Sequence, residues 1–323
     1  MRAVMCHEIG PVDKLRVEDV PTPEPGAGQV RIAVKAAGAS FVDALRVNGR
    51  HQMPLTPPYT PGGEAAGVVD AVGAGVDGFE VGDRVYATVS QGAMASHLLA
   101  QPNQLVALPD TIDFGRGASF HQVYGTAWFS FVQRTVVTPG EVVLVTGAGG
   151  GVGLAAIDVA RHLGARVIAV ASSPEKRALA LSMGAEAAID PLTEDVKLRA
   201  RELTGGEGID LVYDVVGGDV SEAALRAMKF QGRFLVIGFT AGIARVPLNL
   251  ALLNNRSILG VEWGGWANRF PKENREMVAD IVAAIARGDL KPVAPTERPL
   301  ADTPDVLADL LERRAVGKIV LVP

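Results

Sequence analysis

The chain is short of the residues that would mark several functional classes. It has one cysteine, Cys6, among 323 residues. An intramolecular disulfide framework and a cysteine-based zinc knuckle are therefore excluded. Positive charge is also scarce: 31 Lys and Arg stand against 36 Asp and Glu, a net charge of −5. That balance argues against a nucleic-acid or anionic-membrane partner. No apolar run approaches the ~20 residues needed to span a bilayer. The opening MRAVMCHEIG has no apolar core of signal-peptide length. A soluble, cytoplasmic protein is the expectation. The five histidines (His7, His51, His97, His121, His162) show no ligand spacing. Repeats and low-complexity linkers are absent too.

What is present is a globular composition, 48% hydrophobic and 21% charged, on a chain long enough for two domains. The first 110 or so residues read as β-rich. Gln29 to Ala36 alternates polar and apolar, as a half-buried strand does. Ala65–Val72 and Arg84–Val89 are further strands, separated by dense Gly and Pro turn signals. Near residue 122 the texture changes to alternating helices and strands. A helix around Tyr124–Arg134 precedes strand Val142–Val145, helix Val152–Leu163, strand Arg166–Ala171 and helix Glu175–Met183. Further on come a short strand Ala187–Ile189, a helix near Val196–Leu203, strand Leu211–Val215, helix Ser221–Met228 and strands Gly232–Ile237 and Ser257–Val261. This alternation predicts an α/β fold with a doubly wound parallel sheet. A long helix over Lys272–Arg287 ends at Gly288, and Lys318–Val322 reads as a final strand.

The segment VVLVTGAGGGVGL (Val142–Leu154) places an apolar strand, a glycine-rich turn and an amphipathic helix in immediate succession. Glycines let the backbone approach a pyrophosphate, and a helix N-terminus offers it free N–H groups and a partial positive charge. Gly147, Ala148, Gly149, Gly150, Gly151, Val152 and Gly153 are the candidate cofactor-binding turn, with Ala148, Gly150 and Gly153 in the three fingerprint positions. Alanine in the first of these is tolerable if that position keeps φ < 0.

The second strand bears on cofactor type. An NAD-selective site carries Asp or Glu at its end to bond the ribose 2′-OH. Here that position is Ala171, followed by Ser172, Ser173, Lys176 and Arg177. Hydroxyls and cations suit a 2′-phosphate, so NADPH is expected over NADH. Glu175 dissents, since it would repel a phosphate if it faced inward. Lys176 and Arg177 also fit the solvated first turn of a helix, Arg177 more so.

From end to end the chain resembles the medium-chain dehydrogenase/reductase superfamily, and within it the zinc-free quinone oxidoreductase (zeta-crystallin-like) branch. The segments that carry the resemblance are AAGASFVDALRVNG (Ala36–Gly49), PGGEAAGVVDAVGAGVDGFEVGDRV (Pro61–Val85), YGTAW (Tyr124–Trp128), the glycine turn, YDVVGG (Tyr213–Gly218), GRFLVIGF (Gly232–Phe239) and GKIVLVP (Gly317–Pro323). The resemblance implies a Rossmann domain at 122–264 and a discontinuous GroES-like catalytic domain at 1–121 and 265–323, with the substrate cleft between them. Zinc-dependent members carry Cys and His where this chain has Ser40 and Gly63, although Glu64 remains. No metal site is therefore expected, and Glu64 and Asp43 read as structural.

The resemblance also implies cofactor contacts at Thr126, Val216, Phe239, Trp263 and Arg314. Phe239 and Arg314 have plain alternatives as a core aromatic and a surface charge. Relatives often have Asn at Ser40 and Tyr at Leu45 and His51, and these departures leave the substrate open. The expected activity is NADPH-dependent hydride transfer to quinones or α,β-unsaturated carbonyls without zinc. Ser40, His51 and Tyr124 are the substrate-side catalytic candidates, each with a packing or surface role as its alternative. Two other functions stay open: an enoyl-thioester (acyl-CoA) reductase, and a non-catalytic NADPH-binding redox sensor. By analogy a homodimer is expected through the edge strand at 257–261.

Overall fold

The computed structural model describes all 323 residues. The chain divides into two compact units, Met1–His121 with Ala294–Pro323, and Gln122–Val293.

The first unit opens with a hairpin of β1 (Arg2–Met5) and β2 (Arg16–Asp19). Strands β3 (Val30–Ala39), β4 (Glu64–Val72), β5 (Arg84–Thr88), β6 (His97–Ala100) and β7 (Leu105–Ala107) follow. Helix α1 (Phe41–Val47) leaves the end of β3, and α2 (Phe114–Gly117) follows β7. The alternation in VRIAVKAAGA puts Val30, Ile32 and Val34 into the core, as a period of two requires. Serine and aspartate make a reciprocal capping box at α1: Asp43 N–H donates to Ser40 Oγ, and the Asp43 carboxylate accepts from Ser40 N–H.

The second unit begins with α3 (His121–Trp128), whose first residue marks the boundary. It continues with β8 (Val142–Thr146), α4 (Gly151–His162), β9 (Arg166–Val170), α5 (Pro174–Ser182), β10 (Ala187–Ile189) and α6 (Val196–Leu203). Then come β11 (Ile209–Asp214), α7 (Asp219–Ala227), β12 (Met228–Val236), α8 (Asn249–Leu252), β13 (Ser257–Gly260), α9 (Trp263–Arg269) and α10 (Pro271–Arg287). Six strands form one parallel sheet in the order β10-β9-β8-β11-β12-β13. The order reverses direction between β8 and β11, the switch point at which open α/β sheets bind ligands. Every residue of β8 is buried, because a central parallel strand is covered on both faces. Helix α10 buries Met277, Val278, Ile281, Ala284 and Ile285 on one stripe and stops at Gly288, which has φ 79°.

The last elements return to the first unit: β14 (Thr296–Pro299), α11 (Thr303–Leu311) and β15 (Ile319–Val322). They extend its sheet to seven strands, β14-β15-β3-β4-β5-β7 with β6 on β3.

Two expectations need correction. The helix expected over Tyr124–Arg134 is α-helical only to Trp128 and passes into a π-helical turn at Phe129–Arg134. The Thr126 and Ser130 hydroxyls donate back to the carbonyls of Gln122 and Thr126, each at 2.7 Å, and such bonds bend helices. The second boundary was expected at 264/265, but residues 265–293 belong to the second unit. Trp266 packs on Phe129 with centroids 4.9 Å apart, and Lys291 N–H donates to Asp158 at 2.6 Å.

Candidate cofactor site

The turn between β8 and α4 is shaped by what its glycines leave out. Gly147 carries the left-handed conformation, φ 64°, so Ala148 is spared it and lies fully buried. A Cβ on Gly153 would stand 2.4 Å from the Gly147 carbonyl oxygen and 2.7 Å from Ala148 Cα. Helix and turn therefore meet backbone to backbone. A Cβ on Gly150 would meet nothing nearer than that same oxygen at 3.7 Å. Gly150 is also the N-cap of α4 and offers no side-chain cap, so the first N–H groups of the helix lie open. This arrangement fits a dinucleotide pyrophosphate, whose oxygens supply acceptors to just such groups.

At the end of β9, Ala171 is buried, Ser172 is exposed and Ser173 caps α5, accepting from Lys176 N–H at 3.3 Å. Lys176 is aligned by the turn: a Cβ on Gly149 would fall 2.3 Å from Lys176 Cβ and 3.0 Å from its Cα. Only glycine lets the two segments pack this closely. Arg177, the other expected cation, points elsewhere. It donates to the Ala171 carbonyl at 3.0 Å and pairs with Asp190 at 2.9 Å. Glu175 is exposed, in the first turn of the helix that the Ser173 hydroxyl caps. Its own N–H first, then that hydroxyl and the Arg177 charge, hold its pKa below the ordinary range.

Beyond β11 the loop is tied by Asp214. This buried carboxylate accepts from Thr146 Oγ1 at 2.5 Å, from the Ser221 hydroxyl, and from Val216 and Gly217 N–H at 3.1 and 3.2 Å. The knot joins the carboxyl ends of β8 and β11 to the start of α7, and it places Val216 against Gly147. Phe239, 51% exposed, lies past the end of β12 in a turn closed by Gly242 N–H. A Cβ on Gly217 would stand 2.2 Å from the Gly242 carbonyl and 3.3 Å from Phe239 Cα, so the two loops are packed together. The role of Asp214 was not read from the sequence. The available sign was an acid at the end of an otherwise apolar strand.

Thr126 is half-buried, with its hydroxyl spent on the Gln122 carbonyl. Beside it, the Trp263 indole lies on Gly125, where a Cβ would meet three ring atoms within 2.8 Å. Trp263 Nε1 donates to Asn274 at 2.9 Å, anchoring the start of α9. Tyr124 is buried and donates to Asp158 at 2.8 Å. Asp158, itself buried in α4, also accepts from Arg161 at 3.1 Å and from Lys291 N–H.

The remaining candidates lie in the first unit. The Ser40 hydroxyl donates to Asp43 Oδ2 at 2.6 Å. Asp43 is buried, and burial raises its pKa against the opposing effect of the Ser40 bonds and the Arg46 and Lys318 charges. Lys318, also buried, donates to the Ala39 carbonyl at 3.3 Å. Glu64 is buried near Tyr86, whose phenol is pushed up by burial first and by the Glu64 charge second. His51 is half-buried, and its Nδ1 lies 3.2 Å from Met53 N and 3.3 Å from the Met53 carbonyl oxygen. Arg314 is paired with Asp309 at 2.8 Å and with Glu312. No group of three or more His, Cys, Asp or Glu side chains is gathered where a metal ion would be held. No helix is long and apolar enough to cross a membrane.

Residues 26–145 match the alcohol dehydrogenase GroES-like domain, and 151–281 match the zinc-binding dehydrogenase family. The chain is 35% identical over 325 residues to the quinone oxidoreductase-like protein 2 homolog of Nematostella vectensis, covering 99% of this chain and 88% of that one. Its structure is similar to that of Escherichia coli quinone oxidoreductase complexed with NADPH, with TM-score 0.90, 28% identity and full coverage of both chains. It is similar, again with TM-score 0.90, to a structure described as an NAD-dependent alcohol dehydrogenase, at 32% identity over the whole of both chains.

Proposed function

The chain belongs to the medium-chain dehydrogenase/reductase superfamily, and on that premise we propose that it is an NADPH-dependent reductase of quinones or α,β-unsaturated carbonyls that works without zinc. The observation that carries the reading is the junction of the glycine turn with the end of β9. The open N-terminus of α4 suits the pyrophosphate, and Ser172, Ser173 and the aligned Lys176 suit a 2′-phosphate, with no acid at Ala171. Relatives described as quinone oxidoreductases, one of them complexed with NADPH, support it.

The nicotinamide, when bound, supplies the hydride. The protein's part is alignment and exclusion of water. Gly147–Gly153 and Lys176 hold the phosphates, while Val216 and Phe239, set by the Asp214 knot and the loop it packs against, offer their side chains at the strand ends. Thr126 and Trp263 complete the contacts on this unit.

Ser40 and Gly63 stand where zinc-dependent members have Cys and His. A quinone or enone spreads the incoming charge by conjugation, so no Lewis acid is needed to stabilise it. Of the substrate-side candidates, His51 is the best proton donor. Its Nδ1 lies against the Met53 main chain, and no protein partner is recorded for Nε2, which leaves that nitrogen for a substrate. The proton of Ser40 is engaged by Asp43, and that of Tyr124 by Asp158. We also propose a homodimer through the free edge of β13, where Ile258 is exposed and Leu248, Leu252 and Leu253 are exposed in the segment leading into it.

The test is an acceptor screen. Purified protein is expected to oxidise NADPH with 1,4-quinones or enones, unaffected by a strong chelator. NADPH bound without turnover on any acceptor would leave a binding protein, and turnover confined to enoyl thioesters would replace the substrate class.

A further inference from the structure

Three sheet edges are closed by their own sequence. Strand β14 is TERP, charged and ending in proline, and β7 and β10 are three residues long. Short, charged or proline-bearing edges resist strand addition. Strand β13 is SILG, with neither charge nor proline. Its backbone groups point alternately toward β12 and toward the open side. Val261 N–H donates to the Val236 carbonyl, and Val236 stands opposite Gly260 in the parallel ladder. Ser257 and Leu259 therefore face β12, in step with Val261. Ile258 and Gly260 turn their N–H and C=O groups to the open side. One of those groups is already taken: Arg134 Nε donates to the Gly260 carbonyl at 2.9 Å. Arg134 is the exposed last residue of the π-helical turn, which closes with a bond from Thr135 N–H to the Ser130 carbonyl at 3.1 Å. Its guanidinium stands where an added strand would offer its own N–H.

We propose that Arg134 is a plug on this edge: it competes with a second copy of the chain for the Gly260 carbonyl, and two copies pair along β13 only by displacing it. The proposal rests on the reading of β13 as the dimer seam. A second copy is the fitting occupant because Leu248, Leu252 and Leu253 are exposed in the segment leading into the strand, and a two-fold axis brings the same apolar surface to both sides. Antiparallel copies exchange hydrogen bonds in reciprocal pairs. With the axis at Leu259, Ile258 of each copy lies opposite Gly260 of the other. Four bonds then form, two of them on the Gly260 carbonyls. Those two acceptors are the ones that Arg134 holds in the single chain. The plug is exposed, so it sets the strength of the dimer rather than forbidding it.

The experiment measures the monomer–dimer dissociation constant by sedimentation over a dilution series, with no dinucleotide present. Arg134→Ala and Arg134→Met both remove the donor, and methionine keeps the bulk of the stem if the shorter side chain disturbs the turn. Circular dichroism and the thermal midpoint check that the variants fold. Two exposed hydrogen bonds per dimer are released from competition, so the dimer is expected to tighten about tenfold in both variants. Adding Ile258→Lys to either variant is expected to return the monomer. A parent dimer whose dissociation constant is unchanged or weakened by loss of Arg134 overturns the plug and leaves the seam standing. Tightening that survives Ile258→Lys also overturns the proposal, since the copies then meet elsewhere. A monomeric parent that dimerises once Arg134 is replaced supports the plug and shows that it prevails in the parent. Monomers throughout, at the highest soluble concentration, overturn both the proposal and the seam it rests on.

Discussion

Gly153 has no space for a side chain. Its missing Cβ would lie 2.4 Å from the Gly147 carbonyl oxygen, and that atom belongs to a backbone turn that cannot swing aside. Gly153→Ala must therefore separate α4 from the turn, at a cost of about 1–3 kcal/mol. The shift moves the open N–H groups of the helix away from the pyrophosphate. The expected result is a NADPH Kd weakened by roughly tenfold or more, read by tryptophan quenching, together with a lower urea midpoint. Gly150→Ala is the internal contrast, since its Cβ would meet nothing within 3.7 Å. It should fold as the parent does and lose affinity only through its approach to the ligand. Ala148 makes the complementary point. It is accommodated because the left-handed conformation falls on Gly147.

At the scale of elements, the second unit is pinned by buried carboxylates that bridge segments far apart in sequence. Asp158 takes hydrogen bonds from Tyr124 in α3, Arg161 in its own helix and Lys291 just after α10. Its removal strands a buried phenol and a main-chain N–H. Asp158→Ala is expected to lose about 2–4 kcal/mol, measured by urea unfolding. Asp158→Asn keeps one acceptor oxygen and should recover part of the loss. Equal losses in both would mean that charge, not hydrogen bonding, holds the bridge.

The same bridge explains why the second boundary fell beyond the expected residue. An amphipathic helix such as α10 states that one face is buried, yet not against which domain. The segments on either side of it decide: Trp263 and Trp266 of α9 lie on Gly125 and Phe129, and Lys291 after α10 bonds Asp158, and none of these pairings is written in helical periodicity. Short elements were hard to read for a related reason. Helix α1 spans seven residues, too few for a period of 3.6 to declare itself. Its capping box, S-x-x-D, was the usable sign.

For the whole molecule, the sheet of the second unit ends at β13, an edge with Ile258 exposed and no strand beyond it. An apolar free edge favours pairing with a second copy. Light scattering at micromolar concentration is expected to give twice the chain mass of 33.8 kDa. Ile258→Lys should shift it to the monomer while leaving the fold intact, since a lysine on an edge strand opposes strand addition. A monomeric mass for the parent would rule the dimer out.

The alternation of strands and helices in the sheet of the second unit, the glycine turn and the missing acid at Ala171 were determined by the sequence alone. These are local features: periodicity, turn chemistry and residue type act over a few neighbours. Only the tertiary structure decided where charge acts. It withdrew Arg177 to Asp190, pressed Lys176 against Gly149, and buried Asp158 and Asp214 as fastenings between distant segments. The physical reason is that the effect of a charge depends on its partners and its burial. Those partners stand up to 133 residues away along the chain, and the fold alone brings them together.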